Sequence, residues 1–281
     1  MKKLSVFSLI VKWSILIIVL VAIYVPLIMI VAYSFSSAQS VGDGFGEFTT
    51  GLFPKLFENK DLLKATGNSL LIGLVSAFFA TALGTTAAIG IHYMRRKMRT
   101  VVDASSQITI VNAEIVTAIG FYLLMLFLRE TLNLPVNFSL VWIIVAHTVI
   151  TTPYVLLTVS PRLKQLNPNL LEASMDLGAG PVRSLFTVML PQLAGAMVSG
   201  FALAFTLSLD DFVITNINSY GAGIETISTF IYDGIRKKGI PSEIRALSTI
   251  IFTVVLVALI IYNVTKNKKD KKEKQSKGEL K

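Results

Sequence analysis

The chain is 281 residues long, 53% hydrophobic and only 15% charged, with a formal net charge of +9. A soluble domain carries about 25% charged residues, so this composition excludes one and points to a polytopic membrane protein. There is no cysteine and only two histidines, His92 and His147, which excludes a disulfide framework, a cysteine nucleophile and a thiolate metal site.

Six apolar runs have the roughly 20 residues that a bilayer crossing needs. They cover about residues 13–33, 70–91, 105–128, 140–159, 193–214 and 246–264. With the N-terminus inside, Lys and Arg segregate 18 to the cytoplasmic segments and 8 to the opposite side. This is the positive-inside pattern, so the basic excess signals orientation and not nucleic acid. The expectation is an all-α membrane protein with six transmembrane helices. Residues 1–12 are then cytoplasmic, 13–264 form the membrane domain, and 265–281 form a basic cytoplasmic tail that touches anionic lipid.

Along the chain, the first run is followed by Ser36-Ser37-Ala38, a cleavage-like trio. Its apolar stretch is longer than the 7–15 residues of a signal peptide, so it reads as a retained span. Residues 34–66 read as an external loop without a strong pattern. In the second run Gly73, Ala77, Ala80, Gly84 and Ala88 share a helix face, which suits close packing between membrane helices. Pro153 is expected to kink the fourth run, Trp142 to sit in an interfacial aromatic belt, and His147 to be a neutral histidine satisfied by a neighbouring helix. Gly221, Gly223 and Gly234, ahead of Ile240-Pro241-Ser242, read as a re-entrant external stretch.

The connection 167–191, NPNLLEASMDLGAGPVRSLFTVMLP, is polar yet patterned. Asn167 is placed to cap a helix that begins at Pro168, continues through Leu177 and ends at Gly178 in a left-handed conformation. Gly180 and Pro181 start a second helix running through Phe186 and Leu190 toward Pro191. On the cytoplasmic side, such a segment is built to be gripped.

Three acids lie in the apolar runs: Glu114, Asp210 and Asp211. Carboxylates there are costly and face a cavity or a partner. At 1.5 Å per residue, Glu114 is about 15 Å into the third run, and Asp210 is close to the outer end of the fifth. Gly195, Ser199, Thr206 and Asp210 share a face, a candidate pore-lining stripe. The alternative reading pairs these acids with Arg129, Arg236, Arg245 or a partner subunit.

The spacing from Glu172-Ala173-Ser174 to Gly178, then to Val188, Leu190 and Pro191, resembles the E-A-A-x-x-x-G-x9-I-x-L-P signature of ABC importer permeases. Ser174 stands for the second Ala and Val188 for the Ile. Thr206-Leu207-Ser208-Leu209-Asp210-Asp211-Phe212-Val213 is similar to a segment of the spermidine/putrescine branch. Tyr33-Ser34-Phe35-Ser36, residues 65–70, Ser160-Pro161-Arg162-Leu163 and residues 241–249 extend that likeness along the whole chain.

The resemblance implies the type I permease fold, with a coupling helix around Glu172, Ala173, Ser174, Gly178, Leu190 and Pro191 that lies in a groove of a cytoplasmic ABC ATPase. Leu170, Leu171, Met175 and Leu177 would supply its apolar contacts. It also implies two ATPase copies, a second permease subunit and an extracytoplasmic polyamine-binding protein, in a bacterial cell membrane. No G-x-x-x-x-G-K-[ST] loop is present, so no ATP binding of that kind, no cofactor and no enzymatic step are expected of this chain. For a polyamine cargo, Glu114, Asp210 and Asp211 would supply charge, and Tyr122, Tyr154 and Tyr220 are candidate aromatic faces. The alternatives are a permease for another organic cation or an aminophosphonate, or an ion-coupled secondary transporter.

Overall fold

The structure, a computed structural model, describes residues 6–38, 44–167, 169–219, 221–237, 242–257 and 260. Pro168, Tyr220, Ile240, Pro241, the end of the sixth apolar run and the 265–281 tail lie outside them. Among the described residues the fold is helical without a strand, apart from an isolated bridge between Ser36 and Phe48.

The chain divides into two compact units, residues 1–63 with 233–281, and residues 64–232. In the first unit, α1 (Val6–Ser34) carries the first apolar run through Pro26 without interruption. The loop after it folds back on itself: Ser37 N–H donates to the Glu47 carbonyl (2.9 Å) and Thr49 N–H to that of Phe35 (2.8 Å). The Phe35 ring stacks on Phe48 and tilts against Phe53. Arg245 Nη2 donates to the Ala38 carbonyl at 2.6 Å, securing this loop to the start of the helical residues 243–257.

Residues 34–66 are not simply a loop. They contain α2 (Leu52–Glu58), and α3 (Lys60–Tyr93) begins ten residues before the apolar run it carries. Asn59 explains the early start, since its Oδ1 accepts the N–H of Leu62 at 3.0 Å and satisfies a donor that the first turn leaves free.

The second unit is organised by α3, α6 (Leu140–Lys164) and α9 (Leu190–Asp210). Their shared core holds Ala77, Ala80 and Ala88 of α3, Val155, Leu156 and Val159 of α6, and Leu193 and Ala204 of α9. Lipid tails are as apolar as these residues, so close van der Waals packing holds them together. The small face of α3 serves this, since a Cβ on Gly84 would lie 2.7 Å from that of Val155; on α9, one on Gly200 would lie 3.1 Å from Val155 Cγ1. Ser139 caps α6, its Oγ accepting the Trp142 N–H, and the helix continues through Pro153 and Pro161.

The third apolar run is not one helix. It is split into α4 (Arg96–Val111) and α5 (Glu114–Leu126), which meet at 103° across Asn112 and Ala113. The fifth run ends in a similar way, with α9 stopping at Asp210, an extended Asp211, and the short α10 (Val213–Asn218) beyond. The connection 167–191 supplies α7 (Leu170–Asp176) and α8 (Pro181–Ser184), and α11 (Ile227–Lys237) follows the turn at Gly221 and Gly223, both at positive φ. Among the described residues, four helical stretches are long and apolar enough to cross a bilayer: Val11–Ser34, Lys60–Tyr93, Leu140–Lys164 and Pro181–Asp210. The bent pair is a fifth candidate.

Candidate functional site

The connection 167–191 is the first of two places where chemistry-bearing residues gather. Helix α7 starts two residues later than the capping pattern indicates. Asn169 holds the N-cap position, while Asn167 Oδ1 accepts the Asn169 N–H (3.0 Å) and turns the chain into the helix. At the other end, Gly178 takes φ +88°. Its N–H donates to the Met175 carbonyl (2.9 Å) and the Ala179 N–H to the Ser174 carbonyl (3.2 Å), the paired bonds of a Schellman cap.

Ser174, which replaces the signature's second Ala, has a local reason. Its Oγ lies 2.9 Å from that of Ser184, which is fully buried, so the two hydroxyls tie α7 to α8. The second helix does not stop at Pro191. It runs from Pro181 to Asp210 through a π turn, Leu185–Met189, directly into α9. Pro191 has no N–H and its ring crowds the carbonyl four residues back; the wider turn relieves that crowding.

The apolar contacts divide unequally. Leu171 packs against the unit's own core, whereas Met175 and Leu177 face outward, Leu177 being 90% exposed. Val182 and Phe186 of the following turns, which sequence reasoning did not single out, are also exposed. With exposed Glu172 and Ala173 they make a protruding surface of apolar knobs and one carboxylate.

The second place is a cleft of about 200 Å³ at the two helix breaks. Glu114, Asp210 and Asp211 all line it, with Asn112, His147 and Tyr154. Depth counting along straight helices puts Glu114 and Asp210 at different levels, but the sharp bend brings both to one cavity. No proline makes this bend. Asn112 and Ala113 take extended backbone angles, and Asn112 Nδ2 donates to Thr117 Oγ1 (2.9 Å) across the gap.

The three acids are not equivalent. Asp211 accepts the N–H of Ile214 (3.2 Å) and of Thr215 (2.9 Å), and its Oδ2 also accepts the Thr215 hydroxyl (2.9 Å). It thus satisfies the start of α10. Glu114 occupies the first turn of α5, where a carboxylate is electrostatically favoured. Asp210 is exposed to the cleft, and among the described residues neither it nor Glu114 makes a side-chain hydrogen bond or ion pair. The exposed face Gly195, Ser199, Thr206 leads along α9 to Asp210. Arg129, one candidate partner for these acids, lies beside Glu130 instead (3.4 Å).

His147 is buried and satisfied, as expected. Its Nδ1 lies 2.6 Å from Ser208 Oγ, and its Nε2 lies 3.0 Å from Thr215 Oγ1 and 3.3 Å from Asp211 Oδ2. Trp142 is turned into the protein: it is 9% exposed, and its indole N–H donates to Asn218 Oδ1 at 3.1 Å. Asn218 in turn donates to the Ala118 carbonyl, so α5, α6 and α10 are joined beside the cleft. Of the candidate aromatics, Tyr154 lines the cleft, while Tyr122 stacks on Phe138.

Comparison with known proteins agrees with this arrangement of helices. The profile of the family described as "Binding-protein-dependent transport system inner membrane component" matches residues 80–267. The chain belongs to this family, the permease subunits of ABC importers. It is 35% identical to the putrescine transport system permease protein PotI of Escherichia coli K12 over 247 residues, 86% of each chain. It is 32% identical over 238 residues to the spermidine/putrescine transport system permease protein PotC of the same strain, covering 85% of this chain and 87% of that one. Among solved structures, a bacterial ABC transporter involved in import of the acidic polysaccharide alginate superposes with a TM-score of 0.65 at 16% identity. The overlap is 90% of this chain and 93% of that one, a likeness of fold alone.

Proposed function

We propose that this permease carries polyamines of the spermidine and putrescine class. The observation that carries this reading is the convergence of Glu114 and Asp210, acids without side-chain partners among the described residues, with Tyr154 on one cleft at two helix breaks. An extended polycation needs separated carboxylates and an aromatic face, and the cleft offers both. The C-terminal ends of α4 and α9 abut the breaks and favour a cation, while Glu114 and Asp211 answer the positive N-terminal ends of α5 and α10. The names of the relatives PotI and PotC support the same cargo class.

In this reading the chain forms half of a translocation pore with a second permease subunit, spans the bilayer six times over residues 13–264, and keeps residues 1–12, 167–191 and 265–281 cytoplasmic. An extracytoplasmic polyamine-binding protein delivers cargo. Two copies of an ATPase bind and hydrolyse ATP, a step this chain does not perform. The protruding surface around Glu172, Ala173, Met175 and Leu177 enters the ATPase groove, shaped by Ser174 and Gly178. Leu190 and Pro191, at the joint with α9, pass its motion to the membrane helices. The test is uptake of radiolabelled polyamines by proteoliposomes holding the full complex. Asp210→Asn and Glu114→Gln should each reduce uptake with assembly intact; unchanged uptake in both would remove the acids from the mechanism.

A further inference from the structure

We infer that His147 is a positioning residue for the transport pathway, pinning the break between α9 and α10 so that the Asp210 carboxylate is held in the cleft. The inference rests on the pathway reading above. It starts from the connectivity of one imidazole. His147 stands on α6, yet its two ring nitrogens reach either side of the break: Ser208, two residues before Asp210, and Asp211 with Thr215 after it. A break needs such ties. Asp211 is extended at φ −64° and ψ 130°, so the backbone there leaves the helical ladder, and a two-residue link would otherwise swing freely.

Thr215 Oγ1 donates to Asp211 Oδ2, so its lone pairs are available to the Nε2–H of His147, and Nδ1 is engaged by the Ser208 hydroxyl. With both nitrogens engaged, His147 has no group left for an ammonium ion, although it lines the cleft. Asp210 has no side-chain partner of its own among the described residues, so its direction is set by backbone that His147 secures on both sides. The imidazole acts on cargo only through its neighbour. Its 2% exposure and its place in a fully paired network suit that role.

The native chain has no cysteine, so Asp210→Cys supplies its sole thiol. The thiol can be titrated in the assembled complex with a positively charged methanethiosulfonate, scored as a mass shift on this chain. Adding His147→Ala should change the labelling rate at position 210 by about tenfold or more, while a thiol at Thr206→Cys, upstream of the Ser208 tether, should stay within about twofold. His147→Gln places an amide donor near the Nε2 position and should restore much of the effect. His147→Asn reaches only the Ser208 side and should not. Equal rates at position 210 in all four backgrounds would overturn the inference, as would parallel changes at 206 and 210. In polyamine uptake, His147→Gln and His147→Asn should differ in half-saturating concentration, and the difference should vanish in an Asp210→Asn background. Labelling that behaves as expected in a complex that takes up no polyamine would sink the cargo assignment and leave the positioning role standing. The opposite pattern would sink the positioning role alone.

Discussion

The connection 167–191 and the acid-lined cleft are built by opposite means. In the first, every important feature is local: Asn167 turns the chain, Gly178 closes α7, and Ser174 reaches Ser184 only ten residues away. Its outward face is a set of exposed side chains, Leu177, Val182 and Phe186 among them. In the second, each helix break is tied locally, by Asn112 with Thr117 and by Asp211 with Thr215, but what brings the breaks together is not local. Glu114 and Asp210 are 96 positions apart, and the bonds that shape the cleft span 61 and 68 positions from His147 to Ser208 and Thr215. Local structure suits a part that must be presented to another protein. Long-range structure suits a part whose geometry must change when helices move.

That contrast can be broken in both directions. The largest effect is expected from Gly178→Asp. A side chain at φ +88° costs about 1–2 kcal/mol, and the added charge stands beside the exposed Leu177. The ATPase should fail to co-purify, and uptake should fall with it. Asp210→Asn should do the reverse, lowering kcat/KM for polyamine by about tenfold or more while the ATPase still co-purifies, because only a contact with moving cargo is lost. If both variants lost the ATPase, the division between the two regions would collapse.

Smaller effects sharpen the comparison. Leu177→Ala should weaken ATPase association by about 1–2 kcal/mol, measured as a shift in titration midpoint, since interface energy concentrates in a few exposed anchors. Gly84→Ala belongs to neither region. Its new methyl would meet Val155 at 2.7 Å and should cost about 1–3 kcal/mol of stability, read as a lower melting temperature in detergent. The smallest effect is Ser174→Ala, which leaves the buried Ser184 hydroxyl without its partner at about 1 kcal/mol. It should loosen the ATPase severalfold and leave half-saturation for cargo unchanged.

The same contrast explains what was legible in the sequence. Helix α7, its Gly178 terminus and the Gly180-Pro181 restart follow from rules that act within one or two turns. The small face of α3 was visible because helical spacing alone aligns Gly73, Ala77, Ala80, Gly84 and Ala88. The break at Asn112–Ala113 was not visible as a geometry, since neither residue is a strong helix breaker and side-chain bonds stabilise the bend. Trp142 reads as a belt residue until Asn218, 76 positions away, is brought to its indole N–H. The run past Pro191 was hidden for a subtler reason: a proline ends a helix unless a turn of different pitch absorbs it, and no residue type announces a π turn.

Val155 has a wider consequence. It lies between glycines of two other helices, where an added methyl would meet it at 2.7 Å on the Gly84 side and 3.1 Å on the Gly200 side. So close a joint resists sliding, which favours α3, α6 and α9 moving together. Because α8 continues through the π turn into α9, a push on Val182 or Phe186 is passed along one helical stretch toward that core. Bending is then easiest at Asn112–Ala113, since His147 ties the break at Asp211–Phe212 to α6. The cleft of the proposed pathway therefore lies beside the most bendable joint of the second unit.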